Sequence, residues 1–125
     1  MLTYVVIFVY SSGSWARMLK VPEDRASAEA ALMEHLGGSL QAIYWEVETA
    51  SAYVIAELPD SVSATAVITA ATKTSAFKEV HAHEVLTQDQ FREMVTLAQS
   101  SEGVYRPPGQ AAFERDVLTR PGAEP

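Results

Sequence analysis

The chain begins with an unbroken apolar run at residues 3–10, rich in β-branched and aromatic side chains, whose length suits one strand buried on both faces. Ser11-Ser12-Gly13-Ser14 ends it. Residues 15–20 read as a short separate helical turn, because Pro22 disfavours a helical conformation at Val21 and so blocks a smooth continuation. Over residues 23–36, Ala28, Ala31, Leu32 and Leu36 recur at helical spacing, with Pro22 near the start and Gly37-Gly38 just past the end, which predicts a full helix. Residues 42–47 and 52–58 then read as two strands joined around Glu48-Thr49-Ala50-Ser51, an antiparallel pair. Pairing Val47 with Ala52 sets Trp45 opposite Val54 and Ile43 opposite Ala56 on one apolar face. The other face carries Tyr44, Glu46, Tyr53, Ile55 and Glu57. Pro59-Asp60-Ser61 signals a turn and N-cap, and Ala64, Val67, Ile68 and Ala71 carry a helix toward Thr74. Residues 77–85 return as a last strand, after which Thr87 and Gln90 form a capping-box pattern for a helix with the face Phe91, Met94, Val95 and Ala98.

The order β-α-β-β-α-β-α is an α+β, ferredoxin-like arrangement with an added C-terminal helix: a four-stranded antiparallel sheet with two helices on one face. The second face, with Tyr44, Tyr53 and Ile55 among polar groups, needs a cover, either a second subunit or the C-terminal segment. A homodimer or higher oligomer is therefore expected. Residues 1–99 form the domain and 100–125 an extension, in which Pro107-Pro108-Gly109 and Pro121-Gly122 flank a short apolar and polar stretch from Ala111 to Leu118. Tyr105, Phe113, Val117 and Leu118 are more apolar than a solvated tail needs, so a docking arm stands beside a flexible tail as its reading.

Composition narrows the classes. At 125 residues and 48% hydrophobic, the chain holds one core. Nine Lys and Arg against 16 Asp and Glu, net charge -7, disfavour general attraction to nucleic acid or an anionic membrane. With no cysteine, disulfides, thiolate nucleophiles and Cys-ligated metals are removed. The apolar start lacks a basic n-region and no run approaches the roughly 18 to 20 residues that span a bilayer, so a cytoplasmic protein is expected. Gly37-Gly38 follows a helix instead of opening one and there is no nucleophile elbow, so no cofactor is implied.

Several segments together carry a family resemblance: Thr3-Tyr4-Val5-Val6, Trp15-Ala16-Arg17-Met18-Leu19-Lys20, Arg25 before Leu36-Gly37-Gly38, Tyr44-Trp45, Val54-Ile55-Ala56-Glu57-Leu58-Pro59-Asp60, and Leu86-Thr87-Gln88-Asp89-Gln90-Phe91. In order and spacing, over about residues 2–97, they resemble the GYD-domain family of small dimeric α+β barrel proteins. The Gly-Tyr-Asp motif itself is not retained, since the corresponding hairpin reads Glu48-Thr49-Ala50-Ser51. The wider barrel superfamily implied by the resemblance includes cofactor-independent monooxygenases, isomerases, lyases, stress-response dimers and ligand-binding regulators. Fold alone does not choose among them.

The most suggestive chemistry lies in Val80-His81-Ala82-His83-Glu84-Val85. On a strand His81 and His83 point the same way, toward the barrel, and leave Val80 and Ala82 for the helices. With Tyr44, Glu46 and Tyr53 on that interior, the set can orient, polarise or deprotonate a phenol, an enol or an acidic C–H. The plainer reading makes both histidines partly exposed strand residues or dimer hydrogen-bonding groups, and Glu46 with Tyr53 a cross-strand hydrogen bond. A metal would need Glu46 to complete the two imidazoles, and none is assigned. Trp15 and Arg17 follow the first strand, where they can close a cavity mouth, one stacking on a ring and the other holding a carboxylate, with core packing and solvent as their plainer roles. Tyr4, Phe8 and Tyr10 share a strand face that suits core, interface or apolar pocket. Three functions follow: a small aromatic or polyketide-like molecule bound in the barrel cavity; a cofactor-independent monooxygenase, cyclase or isomerase using His81 or His83 as base; or a structural assembly protein.

Overall fold

A computed structural model describes residues 1–109 and orders the elements as β1 (Leu2–Tyr10), α1 (Ser12–Lys20), α2 (Arg25–His35), β2 (Ser39–Glu46), β3 (Ser51–Leu58), α3 (Ser61–Thr72), β4 (Phe77–Val85) and α4 (Gln88–Ser100). The stretch from Ala111 to Leu118, with Phe113, Val117 and the Pro121-Gly122 pair, lies outside the described residues. The strands form one antiparallel sheet in the order β2-β3-β1-β4, which is the ferredoxin-like topology. The chain divides into two compact units, Met1–Thr87, holding the sheet and α1 to α3, and Gln88–Pro125, which opens with α4. No residue of α4 is buried, and its Phe91, Met94 and Leu97 are exposed.

The predicted turn at residues 15–20 is a nine-residue helix that starts earlier, because Ser11 caps it: its Oγ accepts from the Ser14 N–H at 3.3 Å. Val21 is extended at φ -126° before Pro22, which separates α1 from α2 as expected. Asp24 caps α2 through the Ser27 N–H, and the helix ends in a Schellman turn, with Gly38 N–H donating to Met33 C=O at 2.8 Å and Gly37 at φ 86°. The inward stripe of α2 differs in part from the expected one: Leu32 and Leu36 pack half-buried against the core as expected. Met33 and Glu29 are buried while Ala28 and Ala31 are exposed, because Arg25, Glu29 and Met33, at i, i+4 and i+8, share the face turned to the sheet.

The β2–β3 register is displaced by two residues from the expected pairing: Trp45 stands opposite Ala52 and Ile43 opposite Val54. Residues 47–50 make a turn closed by Ala50 N–H to Val47 C=O at 3.2 Å, which removes Val47 from the strand. An even slip preserves the faces. Tyr4, Val6, Phe8, Tyr10, Ala52, Val54, Ala56 and Leu58 are buried beneath the helices with Met33 and Val67. The other side of β1 is not fully buried as expected: Val5, Ile7 and Val9 remain half-buried, because α2 and α3 both pack on the opposite face.

Candidate functional site

On the exposed face the register builds rows across the sheet. Tyr44, Tyr53, Ile7 and His81 form one; Ala42, Ile55, Val5 and His83 form the next. His81 and His83 are exposed and stack with ring centroids 6.4 Å apart and planes 18° from parallel, so they point the same way. Glu79 extends the file, its Oε2 lying 3.2 Å from His81 Nε2. The period of two already places it there, two residues before His81. A carboxylate on one imidazole nitrogen favours a proton on that nitrogen and leaves the other as an acceptor.

At the far edge, Glu46 Oε1 accepts from the Tyr53 hydroxyl at 3.0 Å and from Thr49 Oγ1 at 2.7 Å. The hydrogen bond to Glu46, with its negative charge, holds the Tyr53 phenol above its ordinary pKa. Tyr44, opposite Tyr53, is exposed. The two halves of the predicted constellation do not touch within one chain. Strand order sets β2 and β4 at opposite edges, so three strand spacings, about 14 Å, separate Tyr44 and Glu46 from the histidines. Among the described residues no group of three or more His, Cys, Asp or Glu could hold a metal ion.

Trp15 and Arg17 lie on the opposite side of the sheet. Trp15 joins an aromatic cluster centred on Tyr10, whose ring lies 5.9 Å from Trp15, 5.8 Å from Trp45 and 4.9 Å from Phe77. Such tilted pairs exceed their area burial by about 0.5–1.5 kcal/mol each. Arg17 donates to Ser14 Oγ at 3.2 Å and lines a cleft of about 590 Å³ with Tyr10, Met18, Lys20, Arg25 and Phe77.

Behind that cleft, Arg25 Nη2 donates to Glu29 Oε1 at 3.1 Å. The second arm of the fork is open, since Arg25 Nε and Glu29 Oε2 are buried without partners. Burial pushes the Glu29 carboxyl above its ordinary pKa despite the charge and hydrogen bond of Arg25. Burial likewise raises the Tyr10 phenol, opposed by the Arg25 guanidinium beside it. For Arg25, burial works to lower the pKa, but Tyr10, Glu29 and Glu23 outweigh it and hold the cation firmly. Sequence reading missed Arg25 and Glu29 as site residues because charges on a helix are ordinarily assigned to solvent. The signal was their shared stripe with Met33.

The sequence matches the GYD domain family model over residues 4–95. No curated protein matches the chain. No helix among the described residues is long and apolar enough to cross a membrane.

Proposed function

The chain belongs to the GYD-domain family, and from that premise we propose a homodimeric α+β barrel that encloses a small aromatic or polyketide-like molecule between two sheets. One observation carries the reading: on the exposed face the His-Glu file lies on edge strand β4 while Tyr44 and Glu46 lie on the opposite edge strand β2, with Tyr53 donating to Glu46 from β3 beside it, too far apart to act together in one chain. A second sheet packed about 10 Å away removes the separation. A two-fold axis running along the strands between the sheets lays β4 of one copy over β2 of the other. Row for row, His81 then faces the partner's Tyr44 and His83 the partner's Ala42, with the partner's Glu46 one row along from His81, while half-buried Val5, Ile7 and Ile55 supply apolar walls. Aromatic and imidazole groups around an apolar centre suit a planar ligand with one or two polar substituents.

The contact of Glu79 with His81 favours a second reading, an enzyme without cofactor. An imidazole oriented by a carboxylate can take a proton from a phenol, enol or activated C–H. Replacing His81 and His83 singly by Ala separates the readings. Under the binding reading both variants stay dimeric and lose affinity for the aromatic ligand. Under the enzymatic reading turnover disappears in at least one, and unchanged turnover in both removes the histidines from catalysis. A structural assembly role requires both variants to keep every binding property while the dimer persists.

A further inference from the structure

We propose that the cleft on the helix side of the sheet is a separate binding site for a small organic carboxylate with an aromatic or apolar body. It lies on the far side of the sheet from the histidines and is complete within one chain. Its volume of about 590 Å³ falls in the range of small-molecule sites. Tyr10, Met18 and Phe77 supply an apolar and aromatic wall, and Trp15 stands next to Tyr10 at 5.9 Å between ring centroids.

The charges around it identify the ligand. In a chain with 9 Lys and Arg against 16 Asp and Glu, Arg17, Lys20 and Arg25 line this one cleft, with Glu23 as its acidic member. Arg17 is held by Ser14 Oγ, a neutral group, so its charge is not neutralised by that contact. Arg25 is held by Glu29, which is buried and does not line the cleft, while Arg25 itself does. Glu29 is therefore a positioning residue: it orients the guanidinium and does not meet the ligand. The arrangement offers the planar, multi-donor guanidinium of Arg17 to a carboxylate, with Arg25 and the Tyr10 hydroxyl next to it lining the same cleft.

The test uses 2-naphthoate and its neutral counterpart 2-naphthamide as probes on the full chain, read by isothermal titration, tryptophan fluorescence and backbone amide shifts. The naphthoate should bind with a Kd below about 1 mM and the amide at least about tenfold more weakly. Amide shifts should centre on Tyr10, α1 and the start of α2, leaving His81 and His83 unmoved. Arg17→Gln and Arg25→Lys should each weaken the naphthoate about tenfold and leave the amide unchanged, since a charge-assisted hydrogen bond is lost or misaligned. Arg17 is exposed, so that variant keeps the test valid if Arg25→Lys fails to fold. Equal affinity for the two probes, shifts centred on the β4 histidines, or no binding at all would overturn the proposal.

Discussion

Removing Arg25 as Arg25→Met should expose the most stringent electrostatic feature of the fold. Its partner Glu29 has a side chain only 6% exposed, and their contact is 3.1 Å. At that separation two unit charges attract by about 5 kcal/mol for an effective dielectric of about 20. The cost of taking both ions out of water consumes most of this, so the intact pair contributes little net stability. Breaking it on one side is different, because a carboxylate is left buried and unpaired, at about 3–5 kcal/mol. The loss must depend on pH. Burial already raises the folded-state pKa of Glu29 above its unfolded value. A group shifted in that direction contributes stability that is complete below the unfolded pKa and is lost as pH rises through the folded one. Without Arg25 the folded pKa climbs further. The Arg25→Met deficit should therefore be small near the ordinary glutamate pKa of about 4.3 and grow to about 3 kcal/mol by about pH 8. Glu29→Gln should stay within about 1 kcal/mol of wild type, and combining it with Arg25→Met should abolish the pH dependence. Urea unfolding across pH measures each value. A deficit in Arg25→Met that is the same at every pH would mean that Glu29 is solvated or protonated throughout, and that its burial does not control the pair.

Ala50 sits at φ 53° in the β2–β3 turn, so Ala50→Gly should raise stability by about 0.5–1 kcal/mol in thermal unfolding, and a decrease would contradict the strain. A Cβ on Gly38 would lie 1.9 Å from the Glu57 carbonyl oxygen, so Gly38→Ala should cost about 3 kcal/mol by urea unfolding, and an unaffected variant would refute this close approach of α2's end to β3. Tyr53 should ionise above an ordinary phenol in an ultraviolet pH titration, and Glu46→Gln should bring its midpoint back down; no movement would show that their hydrogen bond does not form in solution.

What the sequence made legible was what periodicity encodes. The two faces of the β2–β3 hairpin were readable because a slip of two residues leaves every side chain on its own side, even though Trp45 meets Ala52 and not Val54. The parallel direction of His81 and His83 follows from the same rule. The start of α1 was hidden because Ser12, Gly13 and Ser14 are poor helix formers, and only the cap by Ser11 commits them to a helix. Arg25 and Glu29 were passed over as site residues for a comparable reason: a charged pair four apart normally marks a solvated surface, and their shared spacing with Met33 points inward only once α2 packs on the sheet. The separation of Tyr44 and Glu46 from the histidines is a property of strand order, which local patterns do not display.

Subunit association through the exposed sheet face is what the proposed barrel depends on, and sedimentation equilibrium of the full chain beside Ile7→Lys measures it. Ile7 lies in the middle of that face, between Tyr53 and His81, and is half-buried in one chain. Wild type should sediment at twice the chain mass and Ile7→Lys as a folded monomer, because a lysine at the centre of an apolar contact leaves an unpaired charge there. A monomeric wild type, or an Ile7→Lys variant that remains dimeric with unchanged affinity, would contradict that association.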